Sequence, residues 1–209
     1  MLTQEEWMGA LNARHGKERQ EKFSCAVVAV CGLGGLGSNV AIALARAGIG
    51  KLILIDFDRV DVTNLNRQQY KASQLGMNKT EALAQNLREI NPFIRLETHA
   101  VRISEENAQE LLQEADVVCE AFDVPEAKAM LVNFVLENMP EKYLVAGSGM
   151  AGFGSPNTIQ TRRITGRFYL CGDTVSDVND GIGLVCARVM VCAAHEAHTI
   201  LRLLANEIE

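Results

Sequence analysis

No two cysteines in this chain stand in C-x-x-C spacing. The six lie at positions 25, 31, 119, 171, 186 and 192, which disfavours a zinc ribbon. Most sit in apolar runs, as buried reduced thiols do, and that usage fits a cytoplasmic protein. An excess of basic charge is missing too: 20 Lys and Arg stand against 26 Asp and Glu, a formal net charge of −6. A nucleic-acid backbone or an anionic membrane is therefore disfavoured as the chief partner. No apolar stretch runs uninterrupted for the length of a membrane span. The most apolar late segment, 183–205, carries Arg188, His195, Glu196, His198 and Arg202 and reads as a core or interface helix. Met1 to Gly9 contains Glu5 and Glu6 and no apolar centre, so it does not read as a signal peptide. The P-loop word with its terminal Lys-Ser/Thr is absent, which argues against a P-loop kinase or ATPase. There is no internal repeat and no low-complexity tract.

What the chain does have is 48% hydrophobic residues over 209 positions, enough for one large core, and a single domain is expected. Residues 25–56 organise it. An apolar run, Ala26 to Cys31, has the length and β-branched content of a buried strand. Gly32, Gly34, Gly35 and Gly37 follow within six residues, then an alanine-rich helical segment, Val40 to Ala47. Lys51 to Ile55 is a second apolar run, closed by Asp56. Glycines 32, 34 and 37 fit G-x-G-x-x-G, in which the glycines permit a tight turn, close approach to a phosphate and close helix–strand packing. The helix that follows presents unpaired N–H groups to an anion. Asp56 lies 19 residues beyond Gly37, where an acid commonly accepts from a ribose hydroxyl. Strand, glycine turn, helix, strand and acid together predict nucleotide binding.

The remaining pattern predicts an α/β, Rossmann-like three-layer domain. Its mostly parallel sheet is continued by antiparallel C-terminal strands. Thr3 to Lys22 reads as one N-terminal helix with a Thr3–Glu6 capping box, locally basic through Arg14, Lys17, Arg19 and Lys22. It serves either as a solvated helix or as an arm reaching a partner subunit. We divide the chain into this helix (1–23), a nucleotide-binding βαβ core (24–150), and C-terminal strands with a long helix (151–209). Further helices are expected at 79–90, 104–113 and 125–137, and further strands at 94–100, 117–122, 143–146, 159–164 and 168–171, the last two joined by a hairpin at Thr165-Gly166. An acidic loop, Asp173 to Asp180, precedes the last helix.

The polar segment 57–70 lies just past a strand's carboxyl end, where open α/β sheets bind ligands. With it come Asp56, Asp58, Asn64, Arg67, Gln68, Lys79 and Asp123, all at or just beyond strand ends. Each alone is most simply a solvated surface group. Together, Arg67 and Lys79 suit a polyphosphate whose oxygens gain charge, and Asp123 suits magnesium, which takes one or two carboxylates plus phosphate and water. An NAD-dependent oxidoreductase, the competing reading, is supported by the glycine turn and Asp56 alone.

Six words of the sequence, in order, are G-L-G-G-L-G-S at 32–38, D-F-D-x-V at 56–60, N-L-N-R-Q at 64–68, G-x-x-K at 76–79, I-N-P at 90–92 and the strand end at Asp123. On these the chain resembles the ThiF/MoeB/HesA family, relatives of the ubiquitin-activating enzymes, and most of all the short ThiF form that adenylates a sulfur carrier in thiamine synthesis. The resemblance implies ATP and magnesium, a homodimer, and a small ubiquitin-like sulfur carrier protein ending in Gly-Gly. The carrier's terminal carboxylate attacks the α-phosphate, giving acyl-adenylate and pyrophosphate. It implies that Gly32, Gly34, Gly35 and Gly37 lie under the phosphates and that Asp56 takes the ribose, with Asp58 and Gln68 nearby. It further implies that Asn64, Arg67 and Lys79 contact the phosphates and that Asp123 places magnesium. Arg14 is matched to an arginine that relatives insert into the other subunit's site, although its Arg-His-Gly setting departs from the usual one. The paired C-x-x-C motifs of longer relatives are missing, so no structural zinc is expected. No catalytic-cysteine segment is evident, and Cys171, in Y-L-C-G-D, is read as a packed thiol. The other substrates open to such a protein are a molybdopterin carrier, a tRNA nucleoside or a peptide.

Overall fold

The computed structural model describes residues 2–179 and 181–207, so Asp180, at the end of the acidic loop, lies outside the described residues. The described elements run α1 (Gln4–His15), α2 (Lys17–Cys25), β1 (Val27–Cys31), α3 (Gly35–Ala47), β2 (Lys51–Ile55), α4 (Lys79–Ile90) and β3 (Arg95–His99). They continue α5 (Glu105–Leu112), β4 (Val117–Glu120), α6 (Pro125–Asn138), β5 (Tyr143–Gly147), β6 (Gln160–Arg163), β7 (Phe168–Gly172) and α7 (Cys186–Ala205). One seven-stranded sheet has the order β3-β2-β1-β4-β5-β7-β6. Its inner strands are apolar on both sides because both faces are covered. Leu52 to Ile55, Val117 to Cys119 and Leu144 to Ala146 are all buried. One face packs α3, α4 and α7 around Val28, Val30, Leu52, Leu54, Val117 and Cys119. The other packs α5 and α6 around Ala29, Cys31, Ile53, Ile55, Val118 and Leu144. No helix among the described residues is long and apolar enough to cross a membrane.

The expected fold class is the observed one, with differences of detail. The N-terminal helix is two helices, interrupted at Gly16. Its capping box is present, with the Glu6 amide donating to Thr3 Oγ1 at 3.2 Å and the Thr3 amide to Glu6 Oε2 at 2.8 Å. Helix α3 begins at Gly35, so the later glycines of the motif form its first turn instead of preceding it. Among the C-terminal strands only β6 is antiparallel; β7 pairs parallel with β5. The long link from β5 to β6 lets the hairpin enter the sheet by its second strand, and a hairpin's two strands must oppose one another.

The sheet order sets the position of the site. From β1 the chain goes to β2 and β3 on one side and then to β4 and β5 on the other, so the topological switch lies between β1 and β4. The carboxyl ends of these parallel strands put Gly32 after β1, Asp56 after β2 and Asp123 beyond β4 along one border of the sheet, the crevice position of open α/β folds.

Candidate functional site

The glycine turn is tight because two of its positions exclude a side chain. Gly32 has φ +89, and a Cβ there would stand 2.8 Å from Ala121 O, on the segment leaving β4. A Cβ on Gly37 would overlap Gly32 O, so only glycine lets the first turn of α3 fold back over the end of β1. Gly34 is the N-cap and offers no side-chain oxygen to the turn. Amides at this helix start therefore face the crevice with the partial positive charge of a helix N-terminus.

Asp56 is buried beneath the turn. Its Oδ2 accepts from the Leu33 amide at 2.6 Å and its Oδ1 from the Asp58 amide at 2.8 Å. Burial raises its carboxyl above the ordinary range, against the pull of the Lys79 ammonium and these amides. Lys79, at the first position of α4, is itself buried. Its Nζ lies 2.8 Å from Asp58 Oδ2 and 3.9 Å from Asp56 Oδ2. Asp58 is half exposed, so Lys79 is held on the crevice side of the acid pair by a partner that an anionic ligand can outcompete.

The polar segment after β2 is laced to the glycine turn. Tyr70 Oη donates to Leu33 O at 2.7 Å. Asn39 Nδ2 donates to Gly35 O at 2.6 Å and Arg67 O at 3.1 Å, and Gln69 Nε2 donates to Asn39 Oδ1 at 2.6 Å. This lacing brings Arg67 against Gly35, where a Cβ would meet Arg67 Cγ at 3.4 Å. Arg67 Nη1 donates to Thr63 O and Asn66 Oδ1, but its Nε is buried without a partner. Gln68 is buried beside Gly34, and its Oε1 likewise has no partner. Asn64 is engaged within its own segment, where its Oδ1 accepts from the Asp61 amide at 2.9 Å and closes a 3-10 turn, Val62–Asn64. Asp123 is exposed in the loop between β4 and α6, two residues before the helix begins.

The structure thus gathers Gly32, Gly34, Gly35, Gly37, Asp56, Asp58, Arg67, Gln68 and Lys79 around the glycine turn, and Asp123 lies beyond the end of the neighbouring strand β4. It does not bring Arg14 there within one chain. The α1–α2 elbow packs on the far end of α3, where Gln20 Nε2 donates to Gly48 O at 3.2 Å and His15 Nδ1 meets Gln20 Oε1 at 2.7 Å. The length of α3, about 20 Å at 1.5 Å per residue, separates that elbow from the glycine turn.

The residues present suit a nucleoside triphosphate: a cradle with no room for a Cβ, two orphaned polar atoms beside it, a buried lysine and a buried acid. They suit magnesium only as an ion that takes most of its ligands from phosphate and water, because no cluster of three His, Cys, Asp or Glu that could hold a metal occurs among the described residues. Cys171 is fully buried, and its thiol is pushed up to about 12 by burial and then by the field of Glu196, as a packed thiol would be.

Sequence reasoning missed a second layer of buried charge behind the crevice. Glu120, the last residue of β4, is fully buried and pairs with Lys128 of α6, whose Nζ also donates to Gly147 O at 2.9 Å. Glu196 of α7 is fully buried and neither carboxylate oxygen has a partner. Arg188 of α7 reaches Ala151 O, Gly154 O, Ser155 O, Thr158 Oγ1 and Asp173 Oδ2, fastening the glycine-rich segment after β5. The one available signal was three charges and two histidines in a long apolar helix pattern, 183–205, which a solvated stripe would produce as well.

Residues 9–207 match the ThiF family. The chain is 34% identical over 203 residues to the adenylyltransferase and sulfurtransferase UBA4 of Lodderomyces elongisporus, covering 92% of this chain and 43% of that protein. It is 37% identical over 131 residues to the sulfur carrier protein adenylyltransferase of Thermus thermophilus, covering 62% of this chain and 43% of that one. The chain thus spans less than half the length of these curated relatives. Among solved structures, the E. coli tRNA N6-threonylcarbamoyladenosine dehydratase TcdA in complex with ATP superposes with a TM-score of 0.87 at 25% identity, over 99% of this chain and 98% of that one.

Proposed function

The chain belongs to the ThiF family, and from that premise we propose that it is an adenylyltransferase that joins AMP to a substrate carboxylate and releases pyrophosphate. The observation that carries this reading is the convergence of the glycine cradle, the orphaned Arg67 Nε and Gln68 Oε1, and Lys79 on one crevice. A carboxylate is already ionised near pH 7, so the step needs charge stabilisation on phosphoryl oxygens more than it needs a base. Arg67 and Lys79 supply that stabilisation as the pyrophosphate departs. Asp56 braces the turn from below and offers its remaining lone pairs to a ribose hydroxyl. Asp123 would hold magnesium, which neutralises phosphate charge when bound. Neither role asks Cys171 to act.

The acyl substrate we propose is the C-terminal glycine of a small ubiquitin-like sulfur carrier of the thiamine type, acting with a homodimer. The similarity to the Thermus carrier adenylyltransferase supports it. A second reading has its own support: the near end-to-end superposition on the tRNA-modifying TcdA favours the carboxylate of a threonylcarbamoyl group on tRNA adenosine. Exchange of labelled pyrophosphate into ATP, with magnesium and either a Gly-Gly-ended carrier or a threonylcarbamoyl-bearing tRNA, decides between them. Exchange driven by the carrier is the expected result. Exchange driven by the tRNA alone selects the second reading. No exchange with either overturns adenylation, and NADH oxidation would then select the oxidoreductase reading.

A further inference from the structure

Gly147, the last residue of β5, is gripped from three sides. Its carbonyl accepts from Lys128 Nζ at 2.9 Å. A Cβ on it would meet Glu196 Oε1 and Leu36 Cδ1, each at 2.5 Å. Leu36 belongs to the first turn of α3, within the glycine cradle. Lys128 in turn pairs with Glu120, and Glu120 Oε1 accepts from the Phe122 amide at 2.8 Å. That bond shapes the turn presenting Asp123. Beyond Gly147, the Ser148 amide donates to Cys171 O at 2.8 Å and the Asp173 amide to Gly149 O at 2.9 Å, so the loop after β5 is tied to β7. One ammonium therefore joins the carboxyl ends of β4 and β5, with Asp123 on one side and the loop starting at Gly147 on the other.

We propose that Lys128 is a positioning residue: it sets the spacing between the Asp123 turn and the Gly147–Gly149 loop, across which nucleotide and acyl group meet. This rests on the adenylation reading. The nucleotide keeps its own contacts to the cradle and Asp56 when Lys128 is lost. The alignment of the attacking carboxylate does not, and misplacement at an attack geometry costs rate more than binding.

A plain packing role predicts a different result in one variant. Lys128→Met alone leaves Glu120 buried without its counter-ion, and it will destabilise the fold whatever else Lys128 does. Adding Glu120→Gln removes the stranded charge while keeping an oxygen for the Phe122 amide. The double variant is expected to recover the melting temperature. It should still lose about 30-fold or more in kcat for pyrophosphate exchange, with KM for ATP changed by less than about threefold, the split expected when an interaction serves the transition state and not nucleotide binding. Lys128→Arg, which keeps charge and a donor, should retain activity within about tenfold of the parent. Hydrogen exchange at the Phe122 and Ser148 amides gives a readout independent of turnover, and both should exchange at least about tenfold faster in the double variant as local opening becomes easier. Full kcat with unchanged exchange in a well-folded double variant overturns the proposal. If the parent chain supports no pyrophosphate exchange with either substrate, the adenylation reading fails, and the amide exchange rates alone then decide what Lys128 does.

Discussion

Asp56 sits where an acid that takes a ribose is expected, and in the structure it also organises the turn above it. Both of its oxygens hold backbone amides, those of Leu33 and Asp58. Asp56→Asn replaces one acceptor with an NH2 group, which would face a buried N–H donor. A loss of about 1–3 kcal/mol is expected, the cost of an unsatisfied buried polar group, read from urea unfolding. The same variant should weaken ATP binding with little change in kcat. An unchanged unfolding midpoint would mean that the brace contributes nothing. Asp56 was legible in the sequence because its distance from the glycines is set by one helix and one strand. Glu120 and Lys128 were not: they stand in C-E-A-F-D and P-E-A-K-A, words that an exposed helix start produces equally well. Their pairing depends on the end of β4 meeting the first turn of α6, a tertiary detail that no periodicity encodes.

Helix α7 was expected within 183–205, and it runs Cys186–Ala205. What it carries was not foreseen. Glu196 lies on its buried face, and burial holds its carboxyl well above the ordinary range, with Lys128 only partly offsetting this. The native state therefore keeps a proton that the unfolded chain gives up near pH 4.5. Stability charged to this group is highest below that pH and falls as pH rises toward the elevated native value. Glu196→Gln, which cannot ionise, should escape that loss. Its melting temperature relative to the parent should grow more favourable between pH 4.5 and pH 7.5, measured by thermal unfolding at both. A constant difference would show that Glu196 does not retain its proton. Helix α3 shows the opposite balance: its existence was legible from the alanine run, its start was not. Gly35 and Gly37 have poor helix propensity, and tertiary packing of Gly37 on Gly32 overrides it.

At the scale of the whole molecule, Arg14 stands apart from the crevice of its own chain, at the other end of α3. If it serves a site, that site belongs to a second copy. Arg14→Ala and Lys79→Ala chains, each weakly active alone, should then complement when mixed. With free exchange of subunits about a quarter of the sites regain both residues, since half of the dimers are mixed and each has one intact site. No recovery after verified exchange would assign Arg14 to its own surface. The parallel pairing of the strands around β1 was legible because parallel, doubly covered strands are nearly all apolar. The placement of β7 was not, because it depends on the long link after β5 and on the Arg188 clasp that folds it down. The single antiparallel strand has a further consequence. Among the described residues β6 is the last strand on its side, no strand lies beside its outer backbone groups, and it carries Arg162 and Arg163. Successive side chains of a strand take opposite faces, so two copies that tried to continue the sheet through this border would add arginine charge to both faces of the junction. Growth into fibrils by this route is therefore opposed by like charge, and this opposition should weaken in concentrated salt, where screening is short-ranged.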